Sequence, residues 1–171
     1  MKQTKTVRWL LAHQPIDLFL RTAQAFSKEI AQLTDGQINI EVYTESEFAD
    51  KFKNGIVYDP FALLNAGEIQ MTQLQVCELG RQHCPDFFAL EMPFLFKDHD
   101  HATRVLDGTI GKQILGTLEE NTEAKGLAFT YSGGFRCVAT DKTIETAEDL
   151  KGKTLVTNIN PVNIDTVEAF G

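Results

Sequence analysis

The sequence predicts an α/β fold built on a largely parallel sheet, and three observations predict it. Short apolar stretches suited to strands recur at Thr6–Ala12, Gln37–Tyr43 and Glu68–Leu74. Between them, apolar residues recur at three- and four-residue steps, the spacing of one helix face. Glycine and proline stand at the joins, where a chain changes direction. Strand, helix, strand, helix, strand in that order is how helical crossovers join parallel strands.

Each element has its own local reason. "TVRWLLA" is apolar enough to be buried on both faces as a first strand. Phe19, Ala23, Phe26, Ile30 and Leu33 line one side of a helix over residues 16–33. Gly36, just past that helix, supplies a natural C-terminal cap. Ile38, Ile40 and Val42 alternate through a second strand. A loop or short helix follows. "DPFALLNA" reads as a helix with Pro60 in its first turn, and Glu68–Leu74 as the third strand.

Beyond this point "CPDFFALEMPFLF" is aromatic-rich, broken by Pro85 and Pro93, and reads as a packed loop. Two helices are expected next, one over about 98–107 and one carrying Ile110, Ile114, Leu115 and Leu118. Further strands are expected at Ala124–Gly134, Phe135–Asp141 and Lys153–Thr157. A short helix capped by Thr146 lies between the last two, and a helix begins at Pro161.

Composition removes several function classes. The net charge of −8 gives no basic footprint for nucleic acid. No apolar run approaches the roughly 20 residues of a membrane helix. The N-terminus has a basic start but only the short apolar run Trp9–Ala12, against about 7–15 residues in a signal peptide. A cytoplasmic protein, or one whose export signal has been removed, fits this. Cys77, Cys84 and Cys137 form no CxxC. A Cys77–Cys84 bridge is open in an oxidising compartment, and buried free thiols are the alternative.

"KDHDHATRVLDG" raises the question of a metal, with Asp98, His99, Asp100 and His101 in a row. Zinc takes about four ligands, and helical ligand pairs are usually spaced by four. His99 and His101 are two apart and would point to opposite sides of a helix. Ala102, Val105 and Leu106 mark helical periodicity, and Gly108 ends it. Asp98 is therefore read as an N-cap, and Asp100 as a favourable charge in the first turn. His83 and Glu91 add no ligand spacing. "YSGG" lacks the GxSxG elbow, and "SGGF" is followed by no GK[ST]. No catalytic constellation emerges.

Taken together, "AFSKEIAQLTDGQINIEVY", "AGEIQM", "MPFLFKDHDHATRVLDG", "LAFTYSGGFR" and "TAEDLKGK" resemble the substrate-binding proteins of tripartite ATP-independent periplasmic (TRAP) transporters, in order from Thr6 to Gly171. The resemblance implies a periplasmic-binding-protein-like fold. Two α/β lobes with mainly parallel sheets would be joined by crossing strands and a hinge helix, and would close on a small organic acid. It implies lobe one over residues 1–132 and lobe two from 133 to 171, incomplete in this chain, as in a fragment or a truncated gene product. It also implies a periplasmic protein with its signal peptide removed, membrane permease subunits as partners, and no cofactor.

The same resemblance carries the candidate site. Two arginines of lobe two meet the ligand carboxylate in that family, and the first matches Arg136 in "GGFR". A guanidinium pairs bidentately with a carboxylate. The position of the second is Val156, a departure that puts a dicarboxylate mode in doubt. The loop after the first strand nominates His13 and Gln14, and the end of the third strand nominates Gln75. Each is either a ligand contact or a solvated loop residue. Asn158 and Asn160 are further candidates, and Phe135 is assigned to the core. The competing functions are a zinc-dependent enzyme using His83, His99 or His101, and a sensory solute-binding module.

Overall fold

The structure, a computed structural model, describes residues 4–13, 16–52 and 59–171. It divides into two compact units, Met1–Gln75 and Val76–Gly171. The first unit holds β1 (Lys5–Leu11), α1 (Ile16–Leu33), β2 (Ile38–Thr44), α2 (Glu45–Phe52), α3 (Pro60–Asn65) and β3 (Met71–Gln73). All strand pairing is parallel, in the order β2-β1-β3.

β1 is central, so both of its faces are buried, as its apolar run demands. Successive side chains alternate across the sheet. Leu10 joins Tyr43, Phe48, Leu63 and Ile69 in one core cluster. Trp9 and Leu11 join Phe19 and Ala23 of α1 in another. Trp9 also meets Phe26 edge-on, with ring centroids 5.6 Å apart. The helical stripe of α1 thus covers one face, while Phe48 of α2 and Leu63 of α3 fill the other. After α1 the chain reverses through Gly36, whose φ of +72° suits glycine, and its N–H closes on the Ala31 carbonyl at 2.8 Å.

The third strand is shorter than the apolar pattern predicts. Gly67 has a φ of +70°, and the Gln70 side chain donates back to the Gly67 carbonyl at 2.9 Å. These turn contacts claim Glu68–Gln70 before pairing begins. Arg8 then fixes the entry of β3. Its Nη1 donates to the Glu68 carbonyl at 2.9 Å, and its N–H donates to Gln70 Oε1 at 3.0 Å. Gln70 N–H donates to the Arg8 carbonyl, and the Thr72 hydroxyl donates to the Leu10 carbonyl at 3.0 Å.

The second unit holds α4 (Val76–Gln82), a 3-10 helix over Pro85–Glu91, α5 (His99–Leu106), α6 (Thr109–Asn121), a 3-10 turn over Ala147–Leu150, and α7 (Pro161–Ala169). Three helix starts carry the caps their sequences call for. Asp59 accepts from the N–H groups of Phe61 and Ala62 at α3, Asp98 from His101 N–H at α5, and Asn160 from Asn163 N–H at α7. The expected packed loop is instead largely helical, with Pro85 starting the 3-10 turn and Phe87 fully buried.

The strands expected at 124–134, 135–141 and 153–157 do not form, and the backbone there is irregular. The alternation there is genuine, but a strand exists only through its ladder. Among the described residues no strand forms a ladder with these segments. Leu127, Phe135, Val138 and Val156 are exposed rather than packed against a second layer.

Candidate functional site

A parallel sheet gathers the loops that leave its carboxyl edge. Ligands in open α/β sheets bind there, where successive connections diverge. From β1 the chain runs through α1 to β2 on one side, and β3 lies on the other. The divergence therefore falls between β1 and β3. Leu11 pairs with Gln73, and His13 and Gln75 each follow their strand by two residues at that edge. His13 is half-buried, with its ring edge-on to Phe19 at 4.7 Å. Gln75 is half-buried ahead of α4. Gln14 lies outside the described residues.

The second unit assembles a separate group. Arg136 Nη1 donates to Glu91 Oε2 at 3.1 Å. The Glu91 side chain is only 4% exposed, whereas that of Arg136 is 64% exposed. One amine of the guanidinium is thus tied to a buried carboxylate. Its Nε–Nη2 edge makes no hydrogen bond among the described residues, and that edge is a fork matched to a planar carboxylate. Asn160 Nδ2 also donates to Glu91 Oε2, at 3.5 Å. Asn160 is 2% exposed, and its Oδ1 caps α7, so both ends of its amide are engaged. Asn158 is exposed, and its carbonyl accepts from Asn163 Nδ2 at 3.1 Å. Val156 is fully exposed.

Sequence patterns assign Glu91 no role, because its partners lie 45 and 69 positions away. The available signal is one carboxylate inside the apolar run "FFALEMPFLF", since a charge in such surroundings is usually paired. Burial pushes the neighbouring Cys77 thiol up from its ordinary value, helped by the Glu91 and Glu78 carboxylates and opposed by Arg136. Cys77 and Cys84 are buried and not bridged to one another, so of the two alternatives the bridge is the one not realised.

The Asp98–His101 stretch behaves as a helix start. Asp98 Oδ1 accepts His101 N–H at 2.7 Å, and His101 Nδ1 accepts Lys97 N–H at 3.3 Å. His99 lies against Tyr131 and Phe135, with ring centroids 5.7 and 5.4 Å away. Phe135 is 60% exposed, which corrects its assignment to the core. Among the described residues no three His, Cys, Asp or Glu side chains converge in a group able to hold a metal ion.

The fold is that of the periplasmic solute-binding proteins of TRAP transporters. A TRAP periplasmic solute-binding protein from Pseudomonas putida F1, solved with D-glucuronate bound, superposes with a TM-score of 0.75 at 27% identity, over 98% of this chain and 52% of that one. One from Xanthobacter autotrophicus Py2, with β-D-galacturonate bound, gives 0.72 at 28% identity, over 96% and 52%. The C4-dicarboxylate-binding protein DctB of Bacillus subtilis is 30% identical over 137 residues, which are 78% of this chain and 36% of that protein. The family model for bacterial extracellular solute-binding protein family 7 (DctP) matches residues 12–171, and the chain belongs to this family. It spans about half the length of the solved structures it matches, and less of the curated relatives.

Proposed function

We propose that this chain is part of an extracytoplasmic solute-binding protein that captures a small organic acid between two lobes. It would deliver the acid to the membrane permease of a TRAP transporter, without chemistry on the solute. The observation that carries the reading is Arg136: a guanidinium anchored through one amine on a buried carboxylate, with its Nε–Nη2 edge available. The family membership and the sugar acids bound by the two solved neighbours support it.

In this reading the acid's carboxylate docks on Arg136. His13 and Gln75, at the carboxyl edge of the sheet, and Gln14 contribute hydrogen bonds from the first lobe, and Asn158 from the second. Asn160 acts through Glu91 and the start of α7. The first lobe covers residues 1–132, and Gly133–Gly134 open the second. Closure is driven by contacts that exist only in the closed form, since a solute shifts that equilibrium only by its differential affinity. The periplasm is the compartment.

The test is calorimetric titration of the full chain with a panel of sugar acids and short organic acids. Arg136→Lys keeps a cation beside Glu91 but loses the planar fork. A charge-assisted hydrogen bond contributes about 1.5–3 kcal/mol, so the variant is expected to bind the preferred acid at least about tenfold more weakly. Unchanged affinity would remove Arg136 from the site.

A further inference from the structure

We propose that Glu91 is a specificity-determining residue that restricts the Arg136 surface to solutes with a single carboxylate and disfavours dicarboxylates. The inference rests on the reading of Arg136 as the partner of the solute's carboxylate. It adds what that reading leaves open, namely how many charges the solute carries.

The argument starts from charge. Glu91 Oε2 lies 3.1 Å from Arg136 Nη1, so the pair carries no net charge. A first carboxylate on the Nε–Nη2 edge turns the group from neutral to singly negative. A second carboxylate on the same solute then approaches a group already in excess of negative charge. Burial sharpens the effect, because the Glu91 side chain is 4% exposed and its field is screened less than that of a surface carboxylate.

The carboxylate is also held in place. Asn160 donates to the same Oε2, and the other end of its amide is committed to the start of α7, so the donor does not turn away. Three segments far apart in sequence thus converge on one oxygen. Glu91 does not simply swing into solvent when an acid arrives. A solute with one carboxylate and hydroxyls elsewhere avoids the conflict, and its hydroxyls can donate toward the carboxylate.

A matched pair of sugar acids tests this. D-Glucuronate carries one carboxylate and D-glucarate two, on the same carbon count. Titration calorimetry of the full chain is expected to show wild type favouring glucuronate at least about tenfold. Glu91→Gln, which keeps the shape and an acceptor oxygen for Asn160 but removes the charge, is expected to shrink that preference about tenfold. Glu91→Asp, which keeps the charge, retains it. A purely structural role for Glu91 moves both affinities together and leaves their ratio unchanged. A ratio within twofold of wild type in Glu91→Gln therefore overturns the inference. Equal wild-type affinities for the two acids overturn it without any variant. Failure of the underlying reading looks different: Arg136→Lys then leaves both affinities where they were. Absence of binding by either acid in wild type and Glu91→Gln sinks both.

Discussion

Two glycines in one helix are expected to respond to alanine with opposite signs. Gly111 lies in the first turn of α6, just after the tight connection from α5. A Cβ built there falls 1.9 Å from the Leu106 carbonyl oxygen and 2.5 Å from its carbon. The obstacle is backbone, so the helix start must retreat by about 1 Å to restore a tolerable contact. Overpacking of this kind costs about 1–3 kcal/mol, and an immovable backbone atom puts Gly111→Ala toward the upper end. Against this stands the intrinsic preference of helices for alanine, about 1 kcal/mol. The net expectation is a loss of about 1–2 kcal/mol. Gly116 occupies the same helix with nothing within 4 Å of its Cβ position. Gly116→Ala should therefore gain about 0.5–1 kcal/mol. Both substitutions stiffen the unfolded chain equally, so the difference between them isolates the native-state clash. Urea unfolding followed by circular dichroism gives the two midpoints, compared at unchanged slope. A Gly111→Ala protein as stable as Gly116→Ala would refute the close approach of α5 and α6.

Two further outcomes follow from local chemistry. Asp98→Ala removes the acceptor that holds His101 N–H at 2.7 Å and is expected to cost about 1 kcal/mol, whereas Asp98→Asn should recover most of that in the same unfolding assay. Asp149 is held below its ordinary value of 3.8 by N–H donation from Thr146, then from Glu145. Its folded pKa being the lower one, its stabilisation is present above that ordinary value and fades as pH falls through the folded pKa. The difference in melting temperature between wild type and Asp149→Asn should therefore be largest near neutral pH and close on acidification below about pH 4; a gap that stays constant to pH 3 would contradict this.

What the sequence made legible was whatever depends on neighbours in the chain. The stripe from Phe19 to Leu33 marks a helix, and α1 spans Ile16–Leu33 as that stripe implies. Asp98 before "HDHATRVL" marks a cap, and the cap forms. These are short-range choices made by a residue and the next turn. Illegible were the features that depend on a distant partner. The alternation of Phe135–Asp141 reads as a strand because alternation describes one edge of a ladder and says nothing of the other. The site divides in the same way. Arg136 stands out through "GGFR", but its carboxylate partner Glu91 lies 45 positions earlier in a run that reads as packing. His13 and Gln75 are nominated only as loop residues, and it is the β1–β3 pairing that sets the strands they follow side by side.

In the proposed reading, that register gives a remote residue leverage over recognition. β3 pairs through only three residues, and Arg8 holds the amino end of β3, away from the candidate edge. A slip of one residue would shift the end of β3, and the chain leading to Gln75, by about 3.3 Å and turn the side chains of β3 to the other face. Under the proposed reading, changes at Arg8 or Gln70 would alter solute preference without touching a solute. In the proposed reading the spacing of the candidate edge is thus set by residues that lie outside it.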